Sequence, residues 1–113
     1  MVIKAGIIGT GIGLKHYEAI HNFRGSKVKT IVEINKKKIV KLRKKFPNLK
    51  ISTNENDIFN DKDINLVSIA SYDNYHFKHI LKALKNNKNI IVEKPMCLNI
   101  QELKIIKNML KKK

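Results

Sequence analysis

Tryptophan is absent from this 113-residue chain, cysteine occurs once, and arginine accounts for only two of the 24 basic residues. Each shortage excludes something. The lone thiol, Cys97, can build neither an internal disulfide framework nor a cysteine-rich zinc site. No apolar run approaches the roughly 20 residues that a membrane-spanning helix requires. The opening "MVIKAGII" runs straight into glycines, without the charged segment, long apolar stretch and small-residue cleavage site of a secretory signal. A cytoplasmic protein with no membrane partner is expected.

The shortage of arginine also bears on the formal net charge of +15. Direct base readout and bidentate phosphate gripping favour the arginine fork, whereas lysine is a flexible point charge. The lysines are spread over every expected helix and gather in no single stripe. Abundant isoleucine and asparagine accompany them, as A- and T-rich codons would produce. Specific nucleic-acid binding is therefore not expected; charge of this kind governs solubility and nonspecific attraction.

Short apolar runs alternate with amphipathic stretches throughout. Residues 2 to 8 read as a strand, after which Leu14, Tyr17, Ile20 and Phe23 recur at helical spacing. Residues 28 to 33 form a second strand. Ile39, Leu42 and Phe46 mark the buried face of a lysine-rich helix that Pro47 ends, and residues 49 to 52 make a short third strand. A brief helix is expected within 54 to 60, followed by the nearly all-apolar strand 64 to 70, a pattern suited to burial on both faces. Phe77, Ile80, Leu81 and Leu84 line the next helix, residues 89 to 93 give a fifth strand, and Leu103, Ile106 and Leu110 line a final helix. Such alternation implies right-handed crossovers, a parallel sheet and helices on both faces. The expected fold is a doubly wound α/β domain of Rossmann type spanning residues 1–113, with no second, substrate-binding domain.

"GTGIGL", residues 9 to 14, breaks the first strand into a turn that faces the crevice at the carboxyl ends of the strands. Glycine there lets the backbone bend sharply and approach a pyrophosphate, while free N–H groups at the following helix start attract anions. Gly9 and Gly11 are expected to serve the approach and Gly13 the packing of helix on sheet. Glu33 closes the second strand about 20 residues later, where a carboxylate can accept hydrogen bonds from adenosine ribose hydroxyls. It would repel a 2′-phosphate, which favours NAD; Lys36, Lys37 and Lys38 nearby keep NADP possible. A methyltransferase holding S-adenosylmethionine would use the same two features, but usually with an acid before the glycines, where this chain has Ile7 and Ile8.

His16 after the glycines, "IASYDNYHFKH" after the fourth strand and "VEKP" after the fifth, in this order, resemble the Gfo/Idh/MocA family of NAD(P)-dependent oxidoreductases. The resemblance covers nearly the whole chain as that family's N-terminal cofactor domain. It implies that Gly9, Thr10, Gly11, Ile12 and Gly13 hold the pyrophosphate and Glu33 the ribose. Ser71, Tyr72 and Asn74, with His76 at the family's usual histidine, would line the crevice. Glu93 and Lys94 would lie beside the nicotinamide, Lys94 as the catalytic residue, and the Lys94–Pro95 bond is often cis in the family. Tyr72 replaces a common proline, and the glycine loop is one residue short. Outside the resemblance, His16, His76 and His79 read equally as helix residues without a ligand, His79 above all.

The implied reaction moves a hydride between nicotinamide and a carbinol carbon of a sugar, polyol or sugar nucleotide. The family's histidine acid/base lies in a second domain, so a truncated or split form, inactive alone, is expected; a non-catalytic dinucleotide-binding or regulatory module is the alternative. A separately encoded C-terminal domain, or self-association through the edge of the fifth strand, would complete such a protein.

Overall fold

A computed structural model describes residues 2–112. Five strands, β1 (Ile3–Ile8), β2 (Ser26–Val32), β3 (Lys50–Ser52), β4 (Leu66–Ile69) and β5 (Asn89–Val92), form one sheet. Every pairing is parallel, and the order is β3-β2-β1-β4-β5. The order reverses direction between β1 and β4, which opens a crevice at their carboxyl ends.

The helices are α1 (Gly13–His21), α2 (Lys36–Lys45), the single turn α3 (Asn56–Phe59), α4 (His76–Lys85) and α5 (Ile100–Lys111). A 3-10 turn, Asp73–Tyr75, leads into α4. Their apolar faces divide between two cores. Ile20 of α1 and Ile39 and Leu42 of α2 pack with Ala5, Ile7, Val28 and Ile31 on one face of the sheet. Ile58 and Phe59 of α3, Ile80, Ala83 and Leu84 of α4, and Ile106 of α5 pack with Ile8, Val32, Val67 and Ile69 on the other. The doubly wound arrangement read from the sequence is the fold observed.

Local chemistry sets the element ends. Asn35 starts α2 by accepting from the backbone N–H groups of Lys37 and Lys38, and Asn99 starts α5 by accepting from that of Glu102. The strand expected over 64 to 70 pairs only over Leu66–Ile69. Just ahead of it, Asn65 bonds through its side chain to the Lys4 N–H at 3.0 Å and the Val2 carbonyl at 2.9 Å, fixing where β4 joins β1.

Two expected apolar faces are only partly buried. Phe23 lies outside α1 and is 67% exposed, because the helix ends at His21 and Gly25, at φ +86°, swings the chain into β2. On α5 only Ile106 is buried; Leu103 and Leu110 remain exposed with Ile100 and Ile105. Here α5 packs beside α4 at the margin of the sheet, where β5 pairs on one side only and Ile91 is also exposed.

Candidate dinucleotide site

A cavity of about 350 Å³ opens at the carboxyl ends of β1, β2 and β4, where Ile8, Val32 and Ala70 form its base. The glycine turn makes one wall. Gly9 sits at φ +89°, and a Cβ there would lie 2.3 Å from the Ala70 carbonyl oxygen. Bare backbone at Gly9 is thus required by the adjoining β4 segment, a reason different from the phosphate approach inferred from the sequence. Gly13 behaves as expected: a Cβ would meet Ile7 Cγ2 at 3.1 Å and Ala70 Cβ at 3.4 Å, so α1 rests close on the sheet. Gly11 differs from both, since a Cβ there would meet nothing within 4 Å. Open space thus lies at Gly11 rather than at Gly9 or Gly13. The first turn of α1 has neither a side-chain cap nor an acidic residue; the Leu14 and Lys15 N–H groups turn back to the Gly11 and Ile12 carbonyls at 3.4 and 2.9 Å, and the positive end of the helix dipole faces the glycine turn with no carboxylate of that turn opposing an anion.

Glu33 forms the second wall and is tied to the first. Its Oε1 accepts from the Thr10 backbone N–H at 3.1 Å and the Thr10 hydroxyl at 2.5 Å, while Oε2 accepts from the Asn35 N–H at 2.8 Å. Burial acts to raise the Glu33 pKa, but the bonds from Thr10 and Asn35, with the charge of Lys38, outweigh it and hold the group below the ordinary carboxylate value. A carboxylate offers about four acceptor positions. With three used, Oε2 keeps capacity for one ligand hydroxyl.

The third wall comes from Ser71, Tyr72, Tyr75 and His79 after β4, with Thr53 and Glu55 after β3. Of the residues singled out from the sequence, Gly9, Thr10, Gly11, Glu33, Ser71 and Tyr72 line this cavity. Ile12 and Asn74 are exposed and do not line it; Gly13 lies beneath the helix start. His76, expected in the crevice, is instead 1% exposed, with Nε2 2.9 Å from the Ser71 carbonyl oxygen and Nδ1 2.6 Å from that of Pro95. It fastens the start of α4 to the chain beyond β5. Glu93 and Lys94 stand outside the cavity. His16 Nε2 lies 2.7 Å from Glu93 Oε1, and its Nδ1 bonds to the Ser68 hydroxyl, so the buried strand β4 braces the residue before Lys94. Lys94 itself is exposed, and its bond to Pro95 is cis.

Lys38, one of the three lysines that keep NADP possible, lines the cavity; Ile34, Glu55, Tyr75, Lys78 and His79 also line it without having been singled out as ligand-binding residues. Glu55 has no signature in a single sequence, and the histidine spacing in α4 gave no ground for preferring His79.

Comparison with known proteins agrees with this geometry. The family described as "Oxidoreductase family, NAD-binding Rossmann fold" (GFO_IDH_MocA) matches residues 3–113. The chain belongs to this family. An inositol 2-dehydrogenase/D-chiro-inositol 3-dehydrogenase of Lacticaseibacillus casei is 31% identical over 109 residues, which is 94% of this chain and 32% of the relative. The structure of apo scyllo-inositol dehydrogenase from Lactobacillus casei superposes with a TM-score of 0.88 at 24% identity, covering 98% of this chain and 33% of that one. A Synechocystis biliverdin reductase in complex with biliverdin and NADP+ superposes with a TM-score of 0.89 at 22% identity, covering 97% and 35%. The chain spans about a third of the length of these relatives. Within the Gfo/Idh/MocA family the domain is the NAD(P)-binding one, and the open Gly11, the uncapped α1 and the spare acceptor on Glu33 fit such a cofactor. No helix among the described residues is long and apolar enough to cross a membrane.

Proposed function

We propose that this chain is the cofactor-holding part of a cytoplasmic NAD(P)-dependent oxidoreductase acting on a sugar, polyol or sugar nucleotide. The observation that carries the proposal is the pairing of an unobstructed Gly11 with a Glu33 carboxylate that still has an acceptor free, on adjoining walls of one cavity. The backbone around Gly9–Gly13 would hold the pyrophosphate, and Glu33 one adenosine ribose hydroxyl. When bound, the nicotinamide supplies hydride chemistry; the protein orients it and manages the proton.

Lys94 would act on the reacting oxygen. Its amino group, carried just beyond β5 on the segment that His16 and His76 brace, would donate to that oxygen and stabilise the charge developing there. Proton removal from an alcohol needs a positioned base as well. That base is assigned to a further domain or separately encoded polypeptide, and the isolated chain is expected to be inactive.

Cofactor choice provides the experiment. Glu33 would repel a 2′-phosphate, so NADH should bind more tightly than NADPH, and Glu33→Ala should narrow the difference. Both cofactors are titrated at one fixed salt concentration, because a chain of charge +15 attracts any polyphosphate. Equal or reversed affinities would contradict the role given to Glu33.

A further inference from the structure

Three polar side chains behind the cavity form a line that the proposed chemistry does not use. Ser71 Oγ lies 2.9 Å from His79 Nδ1, and His79 Nε2 lies 3.4 Å from Glu55 Oε1. They come from three places: the turn after β4, the buried side of α4, and the residue that opens α3. His79 is only 4% exposed, yet Ser71, His79 and Glu55 all border the cavity.

The order of donors along this line follows from what each group can do. An ionised carboxylate only accepts, and a neutral imidazole has one donor nitrogen and one acceptor nitrogen. With Glu55 on its Nε2 side, His79 carries its proton on Nε2 and donates it to Glu55. Nδ1 is then bare and accepts, so the Ser71 hydroxyl turns its proton toward His79. The opposite tautomer would set an unprotonated nitrogen against a carboxylate in a buried site, with no hydrogen between them.

We propose that Glu55 and His79 are positioning residues that hold Ser71 Oγ as a hydrogen-bond acceptor toward the cavity, selecting a donor group on the adenosine half of the dinucleotide. The inference rests on the cofactor reading above. A serine hydroxyl left free would rotate and donate to a phosphate as readily as it accepts from a hydroxyl or amine. Held by His79, it presents only lone pairs, which suit a ribose hydroxyl or the exocyclic amine of adenine and oppose a phosphate.

Protonation of His79 would reverse the arrangement. Nδ1–H would donate to Ser71 Oγ, and the hydroxyl proton would turn into the cavity. The charged or titratable groups facing His79 are Glu55, Lys78 and Lys82, with the Tyr75 ring 6.1 Å away; Lys82 lies 2.8 Å and Lys78 3.7 Å from Glu55. Burial, opposed by Glu55 and reinforced by the two lysines, pushes His79 below the usual histidine value, which keeps it neutral near pH 7.

The test has two arms. In the first, histidine-15N-labelled protein without cofactor is read by NMR at pH 8. Protonated Nε2 and bare Nδ1 on His79, with loss of that fixed tautomer in Glu55→Gln, are expected; Nδ1-protonated His79, or a tautomer unchanged by Glu55→Gln, would overturn the relay. In the second arm NADH is titrated by its own emission, which no tryptophan obscures. His79→Leu, which cannot accept from Ser71, should weaken binding at pH 8 by roughly fivefold, the factor expected for one lost hydrogen bond. His79→Asn, whose amide oxygen can replace Nδ1 as acceptor, should recover most of that loss but lack the part of the acid-side weakening due to His79. Reduced nicotinamide hypoxanthine dinucleotide, which lacks the exocyclic amine, separates the two donors: loss of the His79→Leu effect with it assigns the amine, and retention assigns a ribose hydroxyl. If wild type binds NADH and His79→Asn and His79→Leu match it at both pH values, the positioning role is wrong. If wild type fails to bind NADH, the cofactor reading and the adenosine selectivity fall together, while the first arm still decides the tautomer.

Discussion

The Thr10 hydroxyl donates to Glu33 Oε1 at 2.5 Å, so the turn after β1 is latched to the end of β2 before any ligand arrives. Both residues are buried. The acid inferred from the sequence as a ribose acceptor therefore holds the glycine turn in shape. Preorganisation of this kind reduces the ordering cost that binding would otherwise carry.

Thr10→Val keeps the shape but removes the donor. Loss of a hydrogen bond to a charged group should destabilise the fold by about 1.5–3 kcal/mol. The Glu33 carboxyl should also titrate closer to its ordinary value, since the Thr10 hydroxyl is the largest of the influences lowering it. Urea unfolding and carboxyl NMR titration check the two effects, and an unmoved Glu33 would mean that the latch is not formed in solution.

Gly6 carries a packing constraint. A Cβ there would come within 2.7 Å of the Ile58 side chain, which α3 sets over β1 and which is fully buried. Gly6→Ala should cost about 1–3 kcal/mol by overpacking. Combined with Ile58→Ala, which vacates the same space, it should cost less than the sum of the single changes. Additive denaturation energies would show that the two positions do not touch.

Acid should weaken the fold in two stages. Burial lowers His79 below its ordinary 6.5, so the unfolded chain binds that proton more readily; the contribution is complete above pH 6.5 and is lost as pH falls through the folded value. Glu33 and Glu55 also lie below their ordinary 4.5: burial acts to raise each, and the bonds and charges around them prevail. Their contribution is complete above pH 4.5 and is lost as pH falls through their own folded values. Urea midpoints measured from pH 8 to pH 3 should decline first below about 6.5 and again below about 4.5. His79→Asn should remove the upper decline, and its persistence would assign that step to another group.

Much of this was legible in the sequence because it depends on local periodicity. Val67, Ser68 and Ile69 are buried as an apolar run predicts, and Ile39 and Leu42 recur as a buried helical stripe. Pro47 follows the end of α2, as expected. Failures came where contacts between distant segments decide. Phe23 continues the α1 spacing, yet Gly25 turns the chain before that face can be used. The demand on Gly9 comes from Ala70, 61 positions away, and no local pattern records it. The motif places His76 in the crevice, but the side chain is buried, with its two ring nitrogens set against the carbonyl oxygens of Ser71 and Pro95. Glu55 meets His79 across 24 positions, a pairing that only the crossover from β3 to β4 creates.

Gly11 separates ligand binding from folding most directly. A Cβ there meets no protein atom within 4 Å and would stand where the proposed pyrophosphate would lie, whereas Gly9 is committed to the fold. The measurement is an NADH titration of wild type and Gly11→Val at one salt concentration, with thermal midpoints recorded on the same samples. Saturable binding by wild type is expected, with affinity at least about tenfold weaker in Gly11→Val, a loss of roughly 1.4 kcal/mol, at an unchanged midpoint. Equal binding by the two proteins, or no binding by wild type, would contradict the assignment of this turn to a dinucleotide.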